Sequence, residues 1–286
     1  MEHALAELPL AIFTTLAPMS AGAFVIIAFA VNFISFTDEQ LKKLDRFTLI
    51  PFVLAVIGIF ASVLHLTQPL NAIYIYNGLL SSPLVNEIAV AGVFAALAFV
   101  YCLLAFINKM SLKLRKILSI IVAVFALFFA VMVGLAYIMD TILSWYNPFT
   151  IAMFVGFCLV GGALLGSMTL SLSNVFGQCL ENKTFKNLLL ATAVIGAIIA
   201  IGSMIGYAVT VNGLHTPAHS GAEMLSEVMV MLIAFFVLAI VAFAGQLYLI
   251  FKGSSTVIAV VCVLVMFAAI FCARMVFYAT QFSVGL

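Results

Sequence analysis

LKLRKILSIIVAVFALFFAVMVGLAYIMD, residues 112–140, opens with three basic residues in four positions and closes on an acid, with no charge between Lys116 and Asp140. The uncharged part is long enough to cross a hydrocarbon layer about 30 Å thick as a helix. The same pattern recurs along the chain. Eight mostly apolar stretches can be marked, at 8–34, 46–67, 84–107, 114–139, 148–174, 186–211, 224–251 and 254–282. They consume nearly all of the 286 residues, of which 66% are hydrophobic and 7% charged. A soluble domain carries roughly a quarter charged residues, so a soluble enzyme is excluded. The connectors leave no room for an extramembrane domain that could hold a nucleotide or a molybdenum cofactor.

Backbone polar groups in hydrocarbon must be satisfied internally, and continuous apolar runs without alternation favour helices over a barrel. The expected fold is an all-α bundle of eight transmembrane helices, one transmembrane domain over 1–286. A sparse echo aligns Pro9, Ile12 and Gly22 with Pro148, Ile151 and Gly161 at one offset. It is consistent with two parallel four-helix halves, about 1–140 and 141–286. Gly162 with Gly166, and Gly202 with Gly206, are GxxxG pairs that permit close helix approach. The first run lacks a basic segment and a cleavage site before it, so it reads as a retained helix.

Ten of the 11 basic residues lie in or beside alternate connectors: Lys42, Lys43 and Arg46; Lys109, Lys113, Arg115 and Lys116; Lys183 and Lys186; Lys252. The positive-inside bias then places those connectors in the cytoplasm and both termini outside. The other connectors hold Tyr74, Tyr76, Asn77, Trp145, Tyr146 and Asn147, as interfacial belts do. A net charge of +1 gives no footprint for nucleic acid. The expected location is a membrane crossed several times, with the bilayer as the chain's main environment.

Ionisable groups at membrane depth are costly and need individual reasons. His65 lies about 19 residues beyond Arg46, near the outer end of the second helix at a rise of ~1.5 Å per residue. Ser82 and Pro83 read as a cap and first-turn pair, which puts Glu87 in the opening turns of the third helix, where the dipole favours a carboxylate. Asp140 closes the fourth helix. Arg274 comes late in the eighth, with Tyr278 one turn on. All share the outer third of the bundle. Plainer readings stand beside this one: an interfacial histidine, a solvated first-turn acid, an arginine that snorkels outward, and for Asp140 an interfacial charge or ion-pair partner.

A histidine, a carboxylate and an arginine in an apolar cleft open to one face suit quinol oxidation. A quinol sheds two protons with its two electrons, so the site needs a base that titrates near neutrality and a route for protons. The candidate quinol-binding set is His65, Glu87, Arg274, Tyr278 and Asp140, with His65 as proton acceptor and Glu87 as relay. Among the chain's four histidines, one lies within a helix, which disfavours bis-histidine haem. Cys102, Cys158, Cys179, Cys262 and Cys272 lack cluster spacing, so neither a disulfide framework nor an iron-sulfur cluster is expected. No metal site is expected either. A secondary transporter is the competing class, although transporters usually place their polar site near the midplane. A purely structural anchor is a third.

The chain resembles the membrane anchor subunit of anaerobic dimethyl sulfoxide reductases and, more distantly, the polysulfide reductase anchor. The resemblance rests on ELPLAIFT at 7–14, ASVLHL at 61–66 followed by Pro69, NEI at 86–88, SWYNPF at 144–149, GGALLG at 161–166 and RMVFY at 274–278. It implies a haem-free anchor that oxidises menaquinol and passes electrons to an iron-sulfur subunit, which feeds a molybdopterin catalytic subunit. The family's quinol-site histidine and acid correspond to His65 and Glu87. Ala273 and Met275 flank Arg274 where glycine is common, and Leu8 stands where an aromatic is common.

Overall fold

A computed structural model describes residues 5–64, 78–216 and 220–283. Its helices are α1 (Leu8–Phe33), α2 (Asp38–Leu64), α3 (Pro83–Phe106), α4 (Leu112–Ala136), α5 (Pro148–Leu172), α6 (Phe176–Glu181), α7 (Lys183–Asn212), α8 (Gly221–Glu227), α9 (Met229–Lys252) and α10 (Thr256–Ala279). Eight of them are long and apolar enough to cross a membrane. The described residues form no strands, only two isolated bridges. The all-helical expectation and the eight spans therefore hold.

Helix starts follow short polar signals. Ser111, Asn147 and Asn182 accept hydrogen bonds from the backbone N–H three residues on, at 3.3, 3.2 and 3.0 Å. Each satisfies a donor that the first turn leaves open. Helix α2 begins eight residues before the expected position because Thr37 and Gln40 form a capping box. The Gln40 N–H donates to Thr37 Oγ1 at 3.3 Å and the Thr37 N–H to Gln40 Oε1 at 2.9 Å. Asp38 and Glu39 then complement the dipole of the opening turn. The expected helix over 224–251 breaks at Val228 into α8 and α9.

Helices α1 and α5 are the most buried spans, and they pack on each other along the middle of the bundle. Around α1 stand α2 and α4, with α3 against α4; around α5 stand α7 and α10, with α9 against α10. At the central crossing a Cβ on Gly22 would strike the Cys158 carbonyl, and one on Gly162 would strike the Gly22 backbone, so the two helices touch main chain to main chain. Gly166 meets Ile26 on the same seam. The second expected glycine pair is corrected: Gly202 faces open space, and Gly206 meets the Phe149 ring rather than backbone at its nearest contacts. The close approach of α7 to α5 is made instead by Gly196 against Leu159 and Val160, and by Gly156 against Ala200.

The outward faces stay apolar, with Phe60, Val230, Val257 and Leu264 largely exposed. In water such a belt would be a large liability, whereas hydrocarbon removes its cost. All ten basic residues noted above lie at one end of the bundle, called here the basic end. There Asp45 of α2 and Arg115 of α4 form a buried two-point ion pair, whose second contact, Nη2 to Oδ2, measures 3.0 Å. Arg115 is thus a structural cation rather than a solvated connector charge. Gln40 with Gln178, and Asn182 with the Phe33 carbonyl, tie the connectors of that end together at 2.7 and 3.1 Å.

Candidate functional site

At the opposite end, α10 carries Arg274 into the protein interior. Its side chain is 0% exposed. The snorkelling alternative is thereby excluded. Nε donates to Thr14 Oγ1 of α1 at 2.9 Å, and Nη1 approaches Met153 Sδ of α5 at 3.7 Å. The rings of Phe277, Phe154, Tyr278 and Tyr137 surround the guanidinium with centroids at 4.0, 4.4, 4.7 and 5.3 Å. Aromatic faces attract a cation that has lost its water, each worth up to ~2 kcal/mol when desolvated. A planar guanidinium fits this box and an ammonium would not. Nη2 is buried and has no hydrogen-bond partner among the described residues.

Glu87 of α3 comes to the same place. Ser82 caps α3 by accepting from the Val85 N–H, and Pro83 occupies the first turn. The sequence-expected start is therefore correct, but the consequence differs from a solvated acid: Glu87 is 4% exposed. It lies within electrostatic reach of Arg274 and Tyr137, and its Oε1 is buried without a hydrogen-bond partner among the described residues. No direct ion pair joins Glu87 to Arg274 among those residues. Two half-satisfied polar groups of opposite character thus lie buried within electrostatic reach of each other. A buried polar atom without a partner costs ~1–3 kcal/mol, so a ligand that bonds both would recover that cost.

Tyr278 is buried, and its phenol oxygen lies 2.6 Å from that of Tyr137 and 3.4 Å from Thr14 Oγ1. Thr14 also donates to the Leu10 carbonyl at 2.6 Å, which leaves its oxygen free to accept from Arg274. The connector 137–147 closes over this cluster. Trp145 donates from Nε1 to the Phe277 carbonyl at 3.2 Å and stacks on the Phe277 ring at 4.9 Å. The Leu143 N–H donates to the Phe282 carbonyl, and the Phe282 N–H to Ser144 Oγ, both at 2.9 Å. Tyr207 of α7 adds a 2.7 Å contact with Thr280 Oγ1. Helices α1, α5 and α7 and this connector therefore hold the end of α10 in one orientation.

The structure thus brings together Glu87, Arg274 and Tyr278 of the expected set. Asp140 stands apart: it is exposed in the turn after α4, and no hydrogen bond or ion pair joins it to that cluster among the described residues. His65 lies outside the described residues, as do Tyr74, Tyr76 and Asn77. Trp145 is corrected from an interfacial belt residue to a buried one, while Tyr146 is exposed as a belt residue should be. Asn147 is the cap of α5. Sequence reading missed Thr14, Tyr137, Met153, Phe154 and Phe277. Tyr137 had a signal in its place, three residues before Asp140 and at the same depth as Glu87.

Among the described residues no group of three His, Cys, Asp or Glu side chains is placed to hold a metal ion. The region contains an acid, a cation, aromatic faces and hydroxyls, which suits hydrogen-bonded recognition of a flat polar ring.

A family model described as DMSO reductase anchor subunit (DmsC) matches residues 1–280. The protein is similar to the C subunit of anaerobic dimethyl sulfoxide reductase of Escherichia coli (strain K12), with 34% identity over 176 residues, 61% of each protein. It is similar over its whole length to the C subunit of anaerobic dimethyl sulfoxide reductase of Haemophilus influenzae, with 26% identity over 290 residues that cover 100% of this protein and 99% of that one. Similarity to the anaerobic dimethyl sulfoxide reductase subunit YnfH of Escherichia coli (strain K12) covers 169 residues at 31% identity, 59% of each. The match thus spans about three fifths of the two Escherichia coli proteins. With eight apolar spans beside that match, the chain is a multi-pass protein of the bacterial inner membrane and belongs to the family of DMSO reductase anchor subunits (DmsC).

Proposed function

We propose that this chain anchors a molybdopterin reductase complex for anaerobic respiration and oxidises menaquinol at the Glu87–Arg274 cluster. The observation that carries the reading is the pair of buried atoms without partners, Glu87 Oε1 and Arg274 Nη2, beside four aromatic rings. One quinol hydroxyl donates to Glu87, and the other oxygen accepts from Arg274. His65 takes the first proton and Glu87 relays the second toward the end of the bundle opposite the basic residues. The two electrons part from the protons and pass to an iron-sulfur subunit and on to the molybdopterin subunit. The chain itself needs no haem and no cluster of its own for this, since the partner carries the electron acceptor.

The basic end faces the cytoplasm on this reading, so both termini and the quinol site face outward. Membership in a family of anchor subunits favours this role over a secondary transporter, whose polar site would sit nearer the midplane. Binding of a fluorescent menaquinol analogue to the purified complex tests the reading. Quenching that saturates in the wild type and weakens at least tenfold in Arg274→Met, with the complex still assembled, supports it. Equal binding by Arg274→Met contradicts it.

A further inference from the structure

The basic end carries a second arrangement that quinol chemistry does not use. A cavity of about 130 Å³ opens there, lined by Lys42, Asp45 and Arg46 of α2, Ala105 and Phe106 of α3, and Asn108. On α2, Lys42, Asp45 and Arg46 are spaced i, i+3 and i+4 and so share one helix face. Asp45, at the buried side of the cavity, spends its charge on Arg115 through the two-point pair. Lys42 and Arg46 are exposed and have no ion-pair partner among the described residues, whereas neighbouring Lys43 pairs with Glu39 at 2.9 Å.

The other natural acceptors nearby are also taken. Helix α3 ends here, and its last carbonyls would attract cations. Asn108 adopts a left-handed conformation, φ 53°, and closes that end: the Ile107, Asn108 and Lys109 N–H groups donate to Leu103, Ala105 and Leu104 at 3.0, 3.1 and 3.1 Å. Two cations and the Asn108 amide thus border a pocket whose own anions are already neutralised. Such a pocket is complementary to a phosphate.

Its position selects the source of that phosphate. Lys42 and Arg46 stand at the boundary where α2 turns from polar to apolar. Beyond it Val53 and Ile57 of α2 and Phe99 and Leu103 of α3 are exposed, and the Phe52 and Phe99 rings bring the two helices to 6.1 Å between ring centroids. A headgroup in the pocket would therefore send its acyl chains down an apolar furrow between the same two helices. We propose that this pocket is a binding site for an anionic phospholipid, held by Lys42 and Arg46 through its phosphate. Basic pockets between membrane helices bind such headgroups, each cation contributing about a fivefold factor in affinity.

The test uses the assembled complex, delipidated in detergent and titrated with phosphatidylglycerol, with phosphatidylcholine of the same chains or with inorganic phosphate. Native mass spectrometry counts the bound molecules. Phosphatidylglycerol is retained by the wild type and by Lys43→Gln, and the Lys42→Gln/Arg46→Gln variant loses retention by about 25-fold, the product of two fivefold factors. Both mutated side chains are exposed in this chain, and subunit stoichiometry in the same spectra verifies that the variant assembles. Equal retention of phosphatidylglycerol by the double variant overturns the proposal. So does equal retention of phosphatidylcholine, competition by millimolar inorganic phosphate, or shielding of Lys42 from amine labelling by another subunit in the lipid-free complex.

Discussion

The phenol oxygens of Tyr137 and Tyr278 lie 2.6 Å apart, and both rings face the guanidinium of Arg274. One residue caps the C-terminus of α4 and the other belongs to α10, so this single contact fastens two distant parts of the sequence over the buried charge. The Tyr137 ring also stacks on Phe154 and meets Trp145 and Phe277 edge-on. Removing the hydroxyl alone, in Tyr137→Phe, should cost about 1 kcal/mol of stability. Tyr137→Ala should cost ~3–5 kcal/mol, because it also leaves a cavity. Thermal unfolding of the two purified variants measures the difference.

Arg274→Lys retains the charge but not the plane. A lysine ammonium fills the ring box poorly and cannot reach Thr14 and the proposed quinol together. We expect quinol-dependent turnover to fall at least tenfold, about 1.4 kcal/mol of transition-state binding. Activity with a donor that bypasses this chain should stay within about twofold. The two activities measured on one preparation check this.

Breaking the Asp45–Arg115 pair leaves one buried charge uncompensated. Asp45→Ala or Arg115→Met should each destabilise the chain by ~3–5 kcal/mol, and the double variant should recover much of that loss. A double-mutant cycle on unfolding midpoints gives the coupling energy directly.

Gly22→Val places a side chain against the Cys158 carbonyl, so α1 and α5 must separate. Overpacking of this kind costs ~1–3 kcal/mol and should reduce the amount of complex in the membrane. Gly202→Ala, at a position with nothing near its Cβ, should leave that amount unchanged. Quantitative blotting of membranes compares them.

The span pattern was legible because hydrocarbon imposes one rule on every span, as in the uncharged run from Ile117 to Met139. Glu87 and Arg274 were legible for the same reason, since a charge in such a run needs a partner. Thr14 carried no such mark: a small hydroxyl in a membrane helix usually bonds its own backbone, and only the fold reveals that Arg274 uses it. Trp145 has the composition of a belt residue, and its burial follows from the connector folding back over Phe277, a long-range event. The pair Gly202 and Gly206 fits a spacing rule, but the rule does not say which face meets another helix. Helix α2 began early because the capping box at Thr37 and Gln40 precedes its apolar run rather than adjoining it.

Glu87 carries the central claim, and Glu87→Gln is its most direct test, since it keeps the shape and removes the carboxylate. The measurement is the steady-state rate of the assembled complex with menaquinol and with an artificial donor to the iron-sulfur subunit. Quinol oxidation that falls by about 10²-fold or more, with the artificial-donor rate and subunit stoichiometry unchanged, is the predicted result, in line with the loss of a proton-transfer group. An unaltered quinol rate in Glu87→Gln would contradict the account.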